Sequence, residues 1–74
     1  MSDPAARDTA LNRGHTHLAL GELEDAEDAY RKATEADPES FDSWQALGMV
    51  LLKLKKVKEA IGCGMQATLL EPDD

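Results

Sequence analysis

The chain has 74 residues, one cysteine and a formal charge of -7 at neutral pH. That length allows one domain with a marginal core, and the lone Cys63 excludes an internal disulfide framework and suits a reducing, cytoplasmic setting. The acidic balance works against nucleic acid and anionic membranes as partners, no run is apolar enough for a signal peptide or a membrane span, and two histidines with one thiol are too few for a structural zinc site.

Taken in chain order, residues 1–6 read as a lead-in that contains a first acid-proline pair, Asp3-Pro4. Ala10, Gly14 and His17 then recur at the spacing that lines one side of a helix. After a break near Gly21-Glu22, a second helix carries Ala26, Ala29, Tyr30 and Ala33, with Glu27/Arg31 and Asp28/Lys32 as acid-before-base pairs on its exposed face. Asp37-Pro38 ends it, because proline lacks an N–H and pushes the preceding residue out of helical geometry. Trp44, Leu47, Gly48 and Leu51 mark a third helix, with the Trp44 indole expected to be buried between helices. Beyond a break near Lys55-Lys56, Ala60, Ile61, Ala67 and Leu70 mark a fourth, closed by Glu71-Pro72. No segment shows sustained alternation with β-branched enrichment, so the predicted fold class is all-α.

The acid-proline pairs fall 34 residues apart, and the chain divides accordingly into a first helical hairpin over 7–40 and a second over 41–74. Laid over each other without a gap, the halves match Asp8 with Asp42, Gly14 with Gly48, Leu18 with Leu52, Ala26 with Ala60, Ala33 with Ala67, Thr34 with Thr68 and Pro38 with Pro72. Gly14, Gly48, Ala26 and Ala60 are small residues that let paired helices approach closely. "KLKKVK" from Lys53 is expected to lie beside Glu22, Glu24 and Asp25 of the first hairpin and to pair with them.

Trp44, Leu47 and Gly48, followed by Ala60 and Pro72, stand in the register of the tetratricopeptide repeat signature, as do Gly14, Ala26, Tyr30, Ala33 and Pro38 of the first copy. The chain resembles that family over nearly its whole length. The resemblance implies a short α-solenoid of four antiparallel helices, whose first helix in each repeat lines a concave groove for a peptide or partner helix. On helical geometry, the stripe half a turn from the core holds Asp8, Leu11, Asn12, His15 and Ala19 in the first copy, and Asp42, Gln45, Ala46, Met49 and Lys53 in the second. Leu11 and Met49 are apolar where a solvated face would carry charge, and methionine suits adaptable recognition surfaces. The expected partner-binding set is therefore Asp8, Leu11, Asn12, His15, Asp42, Gln45, Met49 and Lys53.

Members of the family that hold an acidic C-terminal carboxylate use a lysine and asparagines that this chain lacks: Leu11, His15 and Ala46 stand there instead. The implied partner is apolar or cationic rather than acidic. Gly64 replaces the family's aromatic residue, and Gly62 with Gly64 reads either as drift in a terminal repeat or as a notch for the close approach of a partner helix. With the sequence stopping two residues after Pro72, Ile61, Gly62, Gly64, Leu69 and Leu70 are the expected self-association surface, covered in a homodimer or by the next helix of a longer array.

The competing class, a small cofactor- or metal-dependent protein, finds no supporting constellation. His15 and His17 are two apart and point to nearly opposite sides of a helix. No serine, histidine and carboxylate set has catalytic spacing. "GCGMQA" from Gly62 matches a dinucleotide fingerprint only superficially, without the preceding strand or the acid about 20 residues on. The sequence therefore predicts no catalytic residue, no metal, no cofactor and a protein-binding role.

Overall fold

The computed structural model describes residues 2–70; the expected Glu71-Pro72 terminator lies outside them. Four helices follow in order: α1 (Pro4–Ala19), α2 (Leu23–Ala36), α3 (Phe41–Lys53) and α4 (Val57–Leu70). No strand occurs among the described residues, and none of the helices is long and apolar enough to cross a membrane. α1 packs on α2, α2 on α3 and α3 on α4, the neighbour-to-neighbour order of a helical solenoid.

The two helix entries use different local chemistry for related sequences. Asp3 caps α1 by accepting from the Ala6 N–H at 3.0 Å, with Pro4 in the first turn, where its missing N–H costs nothing. Residues 4–6 of the expected lead-in are therefore helical. Asp37, by contrast, sits at the end of α2, and Ser40 caps α3 by accepting from the Ser43 N–H at 3.2 Å. Asp37 also takes the Arg7 guanidinium at 2.6 Å, and the Asp3 N–H donates to the Ala36 carbonyl at 2.7 Å, so the chain's start is tied to the end of its first hairpin.

Both hairpin turns end their first helix in the same pattern. The Glu22 N–H reaches back to the His17 carbonyl and the Gly21 N–H to that of Leu18; 34 residues later, Lys56 reaches Leu51 and Lys55 reaches Leu52. This is the Schellman arrangement, whose central residue is left-handed. Glycine adopts it freely at Gly21 (φ 77°), whereas Lys55 holds it at φ 64° against its own Cβ.

Tyr30, Leu47, Val50 and Leu51 form the largest wholly buried group, joined by Ala26, Ala46, Ala60 and Cys63. Burial pushes the Cys63 thiol above its ordinary pKa, which suits a packing role. Trp44 is not sandwiched as expected. It is half-buried at the margin of the cluster, its indole N–H donating to the Pro38 carbonyl at 2.7 Å. A Cβ on Gly14 would lie 2.3 Å from the Tyr30 ring, so the first hairpin closes only on glycine; at Gly48 it would meet the Cys63 Cβ at an ordinary 3.4 Å.

The basic turn pairs farther along α2 than expected, two residues beyond Asp25. Glu27, not the Glu22, Glu24 and Asp25 group, accepts from Lys56 at 2.9 Å, and it also takes Arg31 at 2.7 Å, while Arg31 reaches Glu59 at 2.9 Å. Glu27 is only 6 % exposed, so its pair with Arg31 lies in the seam between repeats rather than on a solvated face. Burial alone would raise the Glu27 pKa, but the hydrogen bonds from Lys56 and Arg31 outweigh it and hold the carboxyl below its usual range.

Three outcomes are expected. Gly14→Ala should lower stability by about 1 to 3 kcal/mol through overpacking against Tyr30, whereas Gly48→Ala should be neutral or stabilising; equal effects in urea melts would contradict the packing described. Lys55→Gly should stabilise by about 0.5 to 1 kcal/mol by relieving the left-handed lysine, read as a higher melting midpoint. Glu27→Gln should cost about 1 to 2 kcal/mol at pH 7. Because the folded Glu27 pKa lies below the unfolded value of about 4.3, its contribution is complete above that value and is lost as pH falls through the folded one. The difference between wild type and Glu27→Gln should therefore shrink toward pH 3, and a constant difference would refute the ion-pair assignment.

Candidate functional site

A groove of about 800 Å³ runs from the α1–α3 side of the molecule onto the outer face of the second hairpin. Among the expected partner-binding residues, Leu11, His15, Asp42, Gln45 and Met49 line it. Asp8, Asn12 and Lys53 do not: Asp8 is taken up by Arg7 at 2.9 Å, and the other two are exposed away from the lining. Leu11 packs partly against the core, and the His15 ring stands edge-on to Tyr30 with its Nδ1 2.7 Å from the hydroxyl. Both are held in place by the residues they cover.

The rest of the lining, apart from Ala46 on the expected stripe and Gly64 in the expected notch, escaped the reading from sequence. Phe41, Trp44, Gly48 and Leu52 contribute from α3, facing Ala60, Gly64, Ala67 and Thr68 of α4. Phe41, Gln45, Gly48, Met49 and Leu52 follow one another at helical spacing, so Phe41 and Leu52 were legible as continuations of the stripe. The α4 wall was not, because it depends on how the second hairpin closes. Met49 and Leu52 are 46 % and 58 % exposed, large apolar side chains at the mouth of one concavity. Among the described residues, Asp42 is the one lining residue with a formal charge.

The expected glycine notch divides. Only Gly64 enters the groove; Gly62, two residues away on the same helix, faces elsewhere, and a Cβ on either would meet open space. "GCGMQA" lies wholly within α4. Ile61 and Leu69 are exposed as expected and Leu70 is half-buried; Met65 completes an Ile61, Met65, Leu69 stripe at four-residue spacing. At the opposite end of the molecule, the hollow between α1 and α2 is lined by Thr9, Arg13, His17, Asp25, Asp28 and Lys32 together with Ala6, Ala10, Ala29 and Ala36.

One set of side chains among the described residues has spacing compatible with a cation. His17, Glu22 and Asp25 bring a ligand atom each within 4.8 Å, across the α1–α2 turn. The His17 Nδ1 already lies 2.7 Å from Glu22, and Glu22 and Asp25 are solvent-exposed, which is the geometry of an ordinary histidine–carboxylate pair. The reading from sequence missed it by weighing His17 only against His15.

Comparison with curated proteins returns no match. The family model for the tetratricopeptide repeat matches residues 11–63, which span the core, both turns and the α3 wall of the groove. Members of that family mediate protein–protein interaction through non-catalytic helical repeats. With four helices forming two hairpins 34 residues apart, and that match over most of its length, the chain belongs to the tetratricopeptide repeat family.

Proposed function

We propose that the chain is a protein-interaction module that holds a peptide or partner helix in the groove lined by Leu11, Gln45, Met49 and Leu52. The observation that carries this reading is the concentration of exposed Met49 and Leu52 with Phe41 and Trp44 in one concavity, where scattered surface residues would need no explanation. Its partner is apolar or cationic, since among the described residues Asp42 is the formal charge in the lining and a second carboxylate there would be repelled. In this reading the chain works as a scaffold or adaptor in the cytoplasm, by itself, as a homodimer or within a longer array. Groove binding needs no bound metal or cofactor.

Met49 and Leu52 test the groove better than Leu11, whose replacement would also disturb the core. Twelve-residue peptides selected by display on the wild-type chain should bind Met49→Glu/Leu52→Glu at least tenfold more weakly, with helicity by circular dichroism unchanged. Equal affinity for the double variant would remove this surface as the binding site.

A further inference from the structure

The first repeat shows what its own closing side chain does. Tyr30 is wholly buried, its ring lies over Gly14, and its hydroxyl meets His15. The residue 34 positions later is Gly64, and the counterpart of Gly14 is Gly48. A Cβ on Gly64 finds nothing within 4 Å, and no aromatic ring covers Gly48, where an added Cβ would meet the Cys63 Cβ at 3.4 Å and α4 backbone at 3.7 and 4.0 Å. The space beside Gly64 is part of the groove that Trp44, Met49, Leu52 and Ala67 also line.

We infer that this slot is an aromatic anchor site: it receives a phenylalanine or tyrosine side chain from a separate partner polypeptide, which carries a lysine or arginine nearby to pair with Asp42. The inference rests on the groove reading above and names its anchor. Two observations select the occupant. The internal repeat shows the side chain that fits against the glycine, an aromatic ring in close contact with it. Asp42, in a chain of net charge -7, sets the sign of the complementary charge. A second copy of the chain is a poor source of the ring. Tyr30 is locked in its own core, Trp44 is bonded to Pro38, and Phe41 lines the groove itself. The α1–α2 hollow, which would have to dock head-to-tail, offers alanines and the charged Arg13, Asp25, Asp28 and Lys32, and among the described residues no phenylalanine, tyrosine or tryptophan lines it.

Gly64→Tyr supplies the ring in cis and is the central test. Its Cβ has room, and it removes a glycine from a helix interior, so the variant should melt higher than wild type. Toluene and p-cresol, the side-chain analogues of phenylalanine and tyrosine, are the probes, followed by amide chemical shifts. Both should produce saturable shifts at Gly48, Gly64 and Ala67 in the wild type and none in Gly64→Tyr. Gly64→Leu, which occupies the same space without a ring, serves if the tyrosine variant fails to fold. Absence of saturable shifts, or shifts that persist in the filled variant, would overturn the anchor.

Display-selected peptides separate this inference from the function it rests on. Enrichment of phenylalanine or tyrosine beside lysine or arginine, with at least tenfold weaker binding to Gly64→Tyr, supports the anchor. Peptides that lose binding to Met49→Glu/Leu52→Glu but not to Gly64→Tyr leave the groove standing and remove the anchor. Peptides indifferent to both variants remove both. Sedimentation showing a wild-type dimer that Gly64→Tyr dissociates would assign the slot to a second copy and overturn the partner proposed.

Discussion

The contact between Tyr30 and Gly14 governs the architecture. A ring of that size can be wholly buried in so short a chain only if α1 comes close enough to cover one face while α3 covers another, and the first condition requires the absence of a Cβ at residue 14. Once Tyr30 is enclosed, α2 is fixed between the hairpins. Leu47, Val50 and Leu51 then pack from α3, and Ala60 and Cys63 follow from α4. Solenoid stability depends on such nearest-neighbour interfaces, and here one side chain contributes both to its own hairpin and to the seam with the next.

Electrostatics reinforces that seam. Glu27 is buried with two cationic partners from opposite sides, Arg31 on its own helix and Lys56 in the following turn, and Arg31 continues to Glu59. A buried carboxylate without such partners would be strongly disfavoured, so the network contributes most by setting the register in which the second hairpin docks. At the equivalent places in the second copy stand Ile61 and Met65, and no charge is there to define a further neighbour in the same way. The two repeats are related by sequence but differ in what they present outward.

That difference gives the molecule two unlike ends. Arg13, Asp25, Asp28 and Lys32 bring charges of both signs to the α1–α2 side, set among Ala6, Ala10, Ala29 and Ala36. The other side presents the groove, with exposed apolar side chains around a glycine floor. One repeated backbone plan thus carries a charged side and an apolar groove, because most positions outside the matched small, apolar and proline residues differ between the copies.

The sequence by itself determined the helices, their turns and the 34-residue repeat, because proline, glycine and apolar spacing act locally and announce themselves at fixed intervals. It also placed Leu11, His15, Asp42, Gln45 and Met49 on one side, since a single helical period suffices to align residues within a helix. Only the tertiary structure decided that Lys56 meets Glu27 rather than Glu22, that Trp44 stays at the margin while Tyr30 fills the centre, and that Gly64 opens into the groove while Gly62 does not. Each of those depends on the rotation and translation of one helix against another. These are set by close packing over the whole interface, and no local pattern of residues encodes them.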